Sequence, residues 1–169
     1  MVRVEEKLKN IVLRNTREAD INYVADFKQR PDNALYVGQW TKEQHLNSLY
    51  QEDILHLIVE DATTKEPVGY VIMAGLLDQN HNIEFRRIVI SEKGKGYGRE
   101  TLKLIKRLSF EQLHAHRLWL DVRLKNLIAQ NLYISEGFIE EGILRDCIFY
   151  NGNYESLIVM SILETEYIG

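Results

Sequence analysis

The sequence predicts a mixed α/β fold around a central, mostly antiparallel sheet, contained in one domain. Three observations carry this. Residues 53–61 and 68–74 are apolar, β-branched runs joined by a turn at 63–66, and 83–90 follows as a third run, so the middle of the chain reads as an antiparallel meander. A glycine-rich bend and a long amphipathic helix then lead to a strand at 117–122, the layout of a right-handed βαβ crossover. Two last runs, 138–150 and 154–163, flank Asn151-Gly152, a dipeptide that favours a tight hairpin.

In chain order, a charged lead-in precedes a short strand at 11–14. Thr16 or Asp20 caps the next segment, where Ile21 and Val24, with Phe27 or Ala25, form a helical stripe that ends at Pro31-Asp32-Asn33. Thr41 and Gln44 have the spacing of a capping box and open a second helix through His45, Leu46 and Leu49, directly after Trp40. Following the glycine bend, Leu102, Leu104, Ile105, Leu108 and Leu113 share one helical face. Arg99, Lys103, Lys106 and Arg107 occupy the other, and Phe110 fits neither. Asn126 is a natural N-cap for a helix running to Glu136, with Gly137 closing it.

Composition bounds the partners. The chain has 169 residues, 45% of them hydrophobic, and two prolines, enough apolar material for a sizeable core without long disordered tracts. A net charge of −4 gives no basis for a nucleic-acid or acidic-membrane partner. No apolar run suggests a signal region or a membrane span. Cys147 is the lone cysteine, which precludes an internal disulfide and fits a cytoplasmic protein; it is expected to be a small buried residue. The five histidines show no metal-ligand spacing, so no metal is expected.

The chemistry concentrates between Ile83 and Leu113. Gly94, Gly96 and Gly98 alternate with Lys93, Lys95, Tyr97 and Arg99, immediately before the helix. Alternate glycines let the backbone turn tightly and expose its N–H groups, and the helix N-terminus adds its positive dipole end, so the bend suits a phosphate or pyrophosphate. The Lys-Ser/Thr pair of a P-loop is missing after Gly98, and a dinucleotide fingerprint would need its last glycine one place later. A solvated glycine turn is the plain alternative.

Lys93-Gly94-Lys95-Gly96-Tyr97-Gly98 resembles motif A of the GNAT acyltransferases, (Gln/Arg)-x-x-Gly-x-(Gly/Ala), with Lys93 where Gln or Arg is usual. The segment from Asn126 through Tyr133 to Gly137-Phe138 is similar to motif B of that family, with the alanine displaced by at most one place. The tail, with Arg145, Asn151-Gly152, Tyr154 and Met160, looks like the branch of ribosomal-protein and spermidine N-acetyltransferases. The resemblance covers nearly the whole chain. It implies a sheet of about seven strands, splayed where acetyl-CoA enters, and direct acetyl transfer to a primary amine. The acceptor is a small molecule or a peptide: a protein N-terminus, a polyamine or another amine.

In such a reaction the amine, with a pKa of about 10.4 for a lysine-like group, must lose a proton before it attacks the thioester. Glu84 on the central strand is the candidate base, directly or through a water, with simple ion pairing to Arg86 as its alternative. The resemblance implies that Tyr133 protonates the leaving thiolate. It also implies that a strand bulge frees N–H groups among Ile88, Val89 and Ile90 for the cofactor, and that Asn126 contacts the cofactor as well as capping its helix. Tyr36, Trp40, Phe149 and Tyr150 either line the acceptor pocket or, as aromatics more often do, belong to the core. A homodimer through a free sheet edge is compatible with the final hairpin. A non-catalytic acyl-CoA-binding module is the rival reading, and a nucleotide-binding regulatory domain a third.

Overall fold

The computed structural model describes residues 2–27 and 40–169. One sheet runs through the molecule in the order β1-β2-β3-β4-β5-β6-β8-β7. Its strands are β1 (Glu5–Leu8), β2 (Ile11–Asn15), β3 (Ile54–Asp61), β4 (Pro67–Ala74), β5 (Asn82–Ile90), β6 (Arg117–Arg123), β7 (Ile139–Tyr150) and β8 (Asn153–Leu163). Every pairing is antiparallel except β5 with β6. The helices are α1 (Ile21–Phe27), α2 (Lys42–Ser48), α3 (Tyr97–Arg107) and α4 (Leu127–Ser135). The strand beyond the expected set is β1, formed in the charged lead-in. Its four residues alternate in exposure and gain their stability by pairing with β2. The expected end of the first helix at Pro31-Asp32-Asn33 and the candidate pocket residue Tyr36 lie outside the described residues.

Both faces of β3 and β4 are covered, which is why these strands read as continuous apolar runs and not as alternating ones. On one face Leu57, Val59, Val71 and Met73 pack with Leu102, Ile105 and Leu108 of the α3 segment. On the other, Ile58, Tyr70 and Ile72 pack with Val24 and Phe27 of α1. That second face also holds a buried polar chain. Thr16 Oγ1 meets His56 Nδ1 at 2.8 Å, His56 Nε2 meets His45 Nδ1 at 3.0 Å, and Tyr70 stacks on His56. Burial and the neighbouring His45 hold the His56 imidazole down at about 3, so it stays neutral.

Local signals place the helices. Gln44 N–H donates to Thr41 Oγ1 at 3.1 Å and Thr41 N–H donates to Gln44 Oε1 at 2.7 Å, a reciprocal cap for α2. Asn126 Oδ1 accepts from Ala129 N–H at 3.2 Å at the start of α4. Beyond α3 the chain widens into a π-turn over Leu108–Gln112, with Leu113 N–H donating to Leu108 O at 3.0 Å. The extra residue per turn takes Phe110 off the helical stripe and onto Tyr167, with ring centroids 5.0 Å apart.

Two details of the central strand position the site. β5 and β6 pair over only three residues, Asn82↔Arg117, Ile83↔Leu118 and Glu84↔Trp119, and then diverge, each remaining with its outer neighbour. On the β4 side the register passes from Met73↔Phe85 to Ile72↔Arg87, so the bulge is at Arg86, earlier than the expected 88–90 stretch. An inserted residue inverts the alternation of side chains. Phe85 therefore joins the α3–α4 face, whereas Val89 joins the α1–α2 face and leaves Ile88 and Ile90 against the former.

β4 holds β5 in this position very closely. A Cβ on Gly69 would sit 2.2 Å from the carbonyl oxygen of Val89. Gly69→Ala therefore forces the two central strands apart and should cost about 1–3 kcal/mol. A thermal melt should show this as a drop of several degrees; an unchanged midpoint would show that the strands have room to give.

Candidate active site

The divergence of β5 and β6 opens a cleft of about 1110 Å³, lined from Glu84 to Ile90 on β5, by the glycine loop, and by residues of β6 and α4. The loop is shaped by Gly94 and Gly96, at φ 84° and 78°, left-handed values that an L side chain rarely adopts. Gly96 precedes the first turn of α3, and the first helical bond runs from Glu100 N–H to Gly96 O at 3.1 Å. The N–H groups of Tyr97, Gly98 and Arg99 therefore have no partner within the helix. Along β5, Ser91 N–H donates to Val68 O at 2.8 Å. Strand alternation then directs the N–H groups of Ile88 and Ile90 to the other edge, which β6 has left, and turns that of Val89 back to β4. The cleft thus offers backbone donors at two places, a strand edge and a helix N-terminus. This fits an extended amide-bearing arm ending in a pyrophosphate, as in acetyl-CoA.

The structure separates the roles of the loop side chains. Lys93 lines the cleft, whereas Lys95 pairs with Glu92 and is not among the lining residues. Tyr97 turns its side chain into the core, where its hydroxyl donates to Asp61 Oδ2 at 2.6 Å. Asp61 Oδ1 also accepts from Thr63 and Thr64 N–H groups, so the β3–β4 turn and the glycine loop share one carboxylate. The Tyr97 hydroxyl and the two turn amides hold that carboxyl low, at about 2. Arg99 reaches across to α4, donating to Glu136 Oε1 at 2.6 Å and Ser135 Oγ at 2.9 Å.

Tyr133 lines the cleft from α4, with Phe85 and Phe138 beside its ring. Burial and the negative charge of Asp121 push its phenol up to about 12, so it keeps its proton through neutral pH. α4 is fastened by Gln130, whose amide donates to the carbonyls of Arg123 and Leu124 at 2.9 Å each. Glu84 lines the cleft and accepts from Arg86 Nε at 3.0 Å and Nη2 at 2.7 Å through one oxygen. Asp121 is a lining carboxylate that sequence reading missed. Alternation along 117–123 placed it opposite the apolar Leu120 and Val122, but nothing in the letters says that β5 leaves its side there.

The remaining candidates are not among the residues that line the cleft. Cys147 is exposed, not buried, because the register between β7 and β8 slips between Leu144 and Ile148 and carries it out of the ladder. Phe149 is likewise exposed, while Tyr150 lies under the Arg123 guanidinium, 4.5 Å from ring centroid to Cζ. Trp40 packs at the rim of the α1–α2 face with Arg87 over its ring at 5.2 Å. Among the described residues, no three His, Cys, Asp or Glu side chains gather as a metal ion would require.

A splayed mixed sheet with a glycine loop at a helix N-terminus and a protonated tyrosine in the gap defines an acyl-CoA-dependent acyltransferase. The chain belongs to the GNAT acetyltransferases: residues 10–139 match the acetyltransferase (GNAT) domain. It is an N-acetyltransferase that uses acetyl-CoA. It is 29% identical over 169 residues to the spermidine N(1)-acetyltransferase of Vibrio cholerae, covering 94% of this chain and 95% of that one. A solved structure of the V. cholerae spermidine N-acetyltransferase in complex with CoA and spermine superposes with a TM-score of 0.85 at 25% identity, over 95% of this chain and 99% of the other. A dodecameric structure of the enzyme from that organism gives a TM-score of 0.81 at 26% identity, over 95% and 97% of the two chains.

The Tyr97–Asp61 bond predicts a separable effect on the cofactor. Tyr97→Phe removes a hydrogen bond worth about 1 kcal/mol, and calorimetric titration should show acetyl-CoA binding weakened roughly fivefold. Equal affinities in the two proteins would mean that the loop holds its shape without Asp61.

Proposed function

We propose that this enzyme transfers the acetyl group of acetyl-CoA to a primary amine of a polyamine. The single observation that carries the acceptor class is the pair of carboxylates, Glu84 and Asp121, facing the gap on the side of the sheet opposite α3 and α4. A polycationic acceptor is drawn to such a site, and the activity and ligand of the relatives, spermidine acetylation and a bound spermine, point the same way.

Each residue then has a task. Backbone N–H groups of Ile88 and Ile90 hold the pantetheine arm and polarise the thioester carbonyl. Gly94, Gly96, Gly98 and the first N–H groups of α3, including those of Tyr97 and Arg99, cradle the pyrophosphate, with Lys93 and, more remotely, Lys95 supplying positive charge. Val89 sets the strand that presents its neighbours, and Asn126 fixes the start of α4 beside the cofactor. The cleft carboxylates draw in the ammonium and take its proton, and Tyr133 protonates the departing thiolate. The reaction needs no covalent enzyme intermediate. The chain works as one domain, and the cytoplasm, where its exposed Cys147 stays reduced, is its expected compartment.

Spermidine and spermine should release thiol from acetyl-CoA in the presence of the enzyme, and Tyr133→Phe should lower kcat by about 10²-fold or more while acetyl-CoA still binds. Acetyl-CoA binding without turnover of any polyamine, peptide or small amine would favour the non-catalytic binding module instead.

Self-association is the second part of this reading. β7 is an edge strand with Ile139, Ile143, Leu144 and Phe149 exposed, and a similar enzyme assembles as a dodecamer. Light scattering at micromolar concentration should give a mass above that of one chain, and Ile143→Lys should reduce it. A monomer mass for the unaltered protein would sink this part alone.

A further inference from the structure

We propose that Asp121 is the carboxylate that takes the proton from the acceptor ammonium, and that its neutralisation readies Tyr133 to give its own proton to the leaving thiolate. The inference deepens the amine-acetylation reading and rests on it.

The geometry distinguishes Asp121 from its neighbour. Glu84 ends the parallel ladder opposite Trp119 and is held by the Arg86 guanidinium through two donors on one oxygen. Asp121 lies two residues past Trp119 on β6, beyond the β5–β6 ladder, and among the described residues its carboxylate has neither a hydrogen-bond nor an ion-pair partner. The cations around it are engaged. Arg86 is on Glu84, and Arg123, two residues along the same strand face, donates to Glu155 at 2.6 Å. Its register partner on β8 is Val159, which carries no charge. Among the described residues, the titratable groups facing it are therefore Glu84 and Arg86 from β5, Arg123 from β6 and Tyr133 from α4. Of the two cleft carboxylates, Asp121 is the one available to an incoming ammonium.

Its surroundings also suit proton transfer. Asp121 is an exposed residue at the cleft, yet its carboxyl loses part of its hydration to the protein around it. Burial pushes its carboxyl above the usual range, Glu84 pushes it further, and Arg86 pulls it part of the way back. A carboxylate made more basic in this way is better matched to an amine donor. The same negative charge adds to burial in keeping the Tyr133 phenol protonated.

The proton steps then follow in order. The ammonium gives a proton to Asp121 and becomes a neutral amine. The new C–N bond forms as the C–S bond breaks, and the sulfur takes the phenolic proton of Tyr133. The tyrosinate recovers a proton from the acylated nitrogen. Asp121 later loses its proton to water, so the overall change is amide, free thiol and one released proton. While Asp121 is neutral, the charge that opposed tyrosinate formation is gone, so Tyr133 becomes a better acid when the thiolate needs it.

Asp121→Asn tests both halves. With the preferred amine it should lower kcat/KM at neutral pH by about 10²–10³-fold, and the remaining rate should climb about tenfold per pH unit toward the amine's own pKa. Acetyl-CoA affinity should be unchanged, and Asp121→Glu should recover part of the rate. Independently of any acceptor, tyrosine-ring NMR, with Tyr133→Phe to assign the signal, should show the Tyr133 phenol titrating at lower pH in Asp121→Asn than in the unaltered protein. A pH–rate profile that the substitution leaves in place would overturn the first half, and an unmoved Tyr133 titration the second. If no polyamine is acetylated, the acceptor assignment fails, while the titration still judges Asp121.

Discussion

The structure depends on a pairing that stops early. β5 and β6 share three residue pairs, enough to join the two halves of the sheet and too few to close it. Each strand then satisfies one edge with its outer neighbour and leaves the other to the gap. In a continuous sheet those inner amides would be consumed by the ladder. Here they are available to a ligand, in the cleft that Tyr133 also lines. The bulge at Arg86 adds to this by exchanging the faces of β5, so the apolar side chains of Ile88 and Ile90 meet the α3–α4 side and Arg87 joins Trp40 and Tyr70 on the other.

The two faces of the sheet thereby acquire different chemistry. The side carrying α3 and α4 supplies backbone donors, a helix N-terminus and a phenol, groups suited to a thioester and its phosphates. The opposite side supplies Glu84 and Asp121, partly offset by Arg86 and Arg123. The gap is where these two chemistries meet.

Much of this was legible in the letters because local constraints were strong. Gly94 and Gly96 take backbone angles that favour glycine, Thr41 with Gln44 and Asn126 form the caps that their spacing implies, and Asn151-Gly152 turns the final hairpin. What was hidden is tertiary. Glu5–Leu8 has too little apolar character to declare itself a strand without its partner. Arg99 and Tyr97 lie in the glycine loop by sequence, yet their side chains tie it to α4 and to the β3–β4 turn. Asp121 is one acidic residue on an alternating strand, and only the departure of β5 turns its position into a site. The slip that exposes Cys147 depends on register, which a composition cannot reveal.

The nearly sequential order of strands has a consequence for biosynthesis. β1 to β5 are consecutive in the chain and adjacent in space, so they can pair as they leave the ribosome, before β6 exists. Until then the inner edge of β5 is a row of unpaired groups open to any passing strand. The arrival of 117–119 protects only the first part of that edge. The remainder stays open in the finished fold, so the edge that lines the cleft is also one that lies unprotected while the chain is being made.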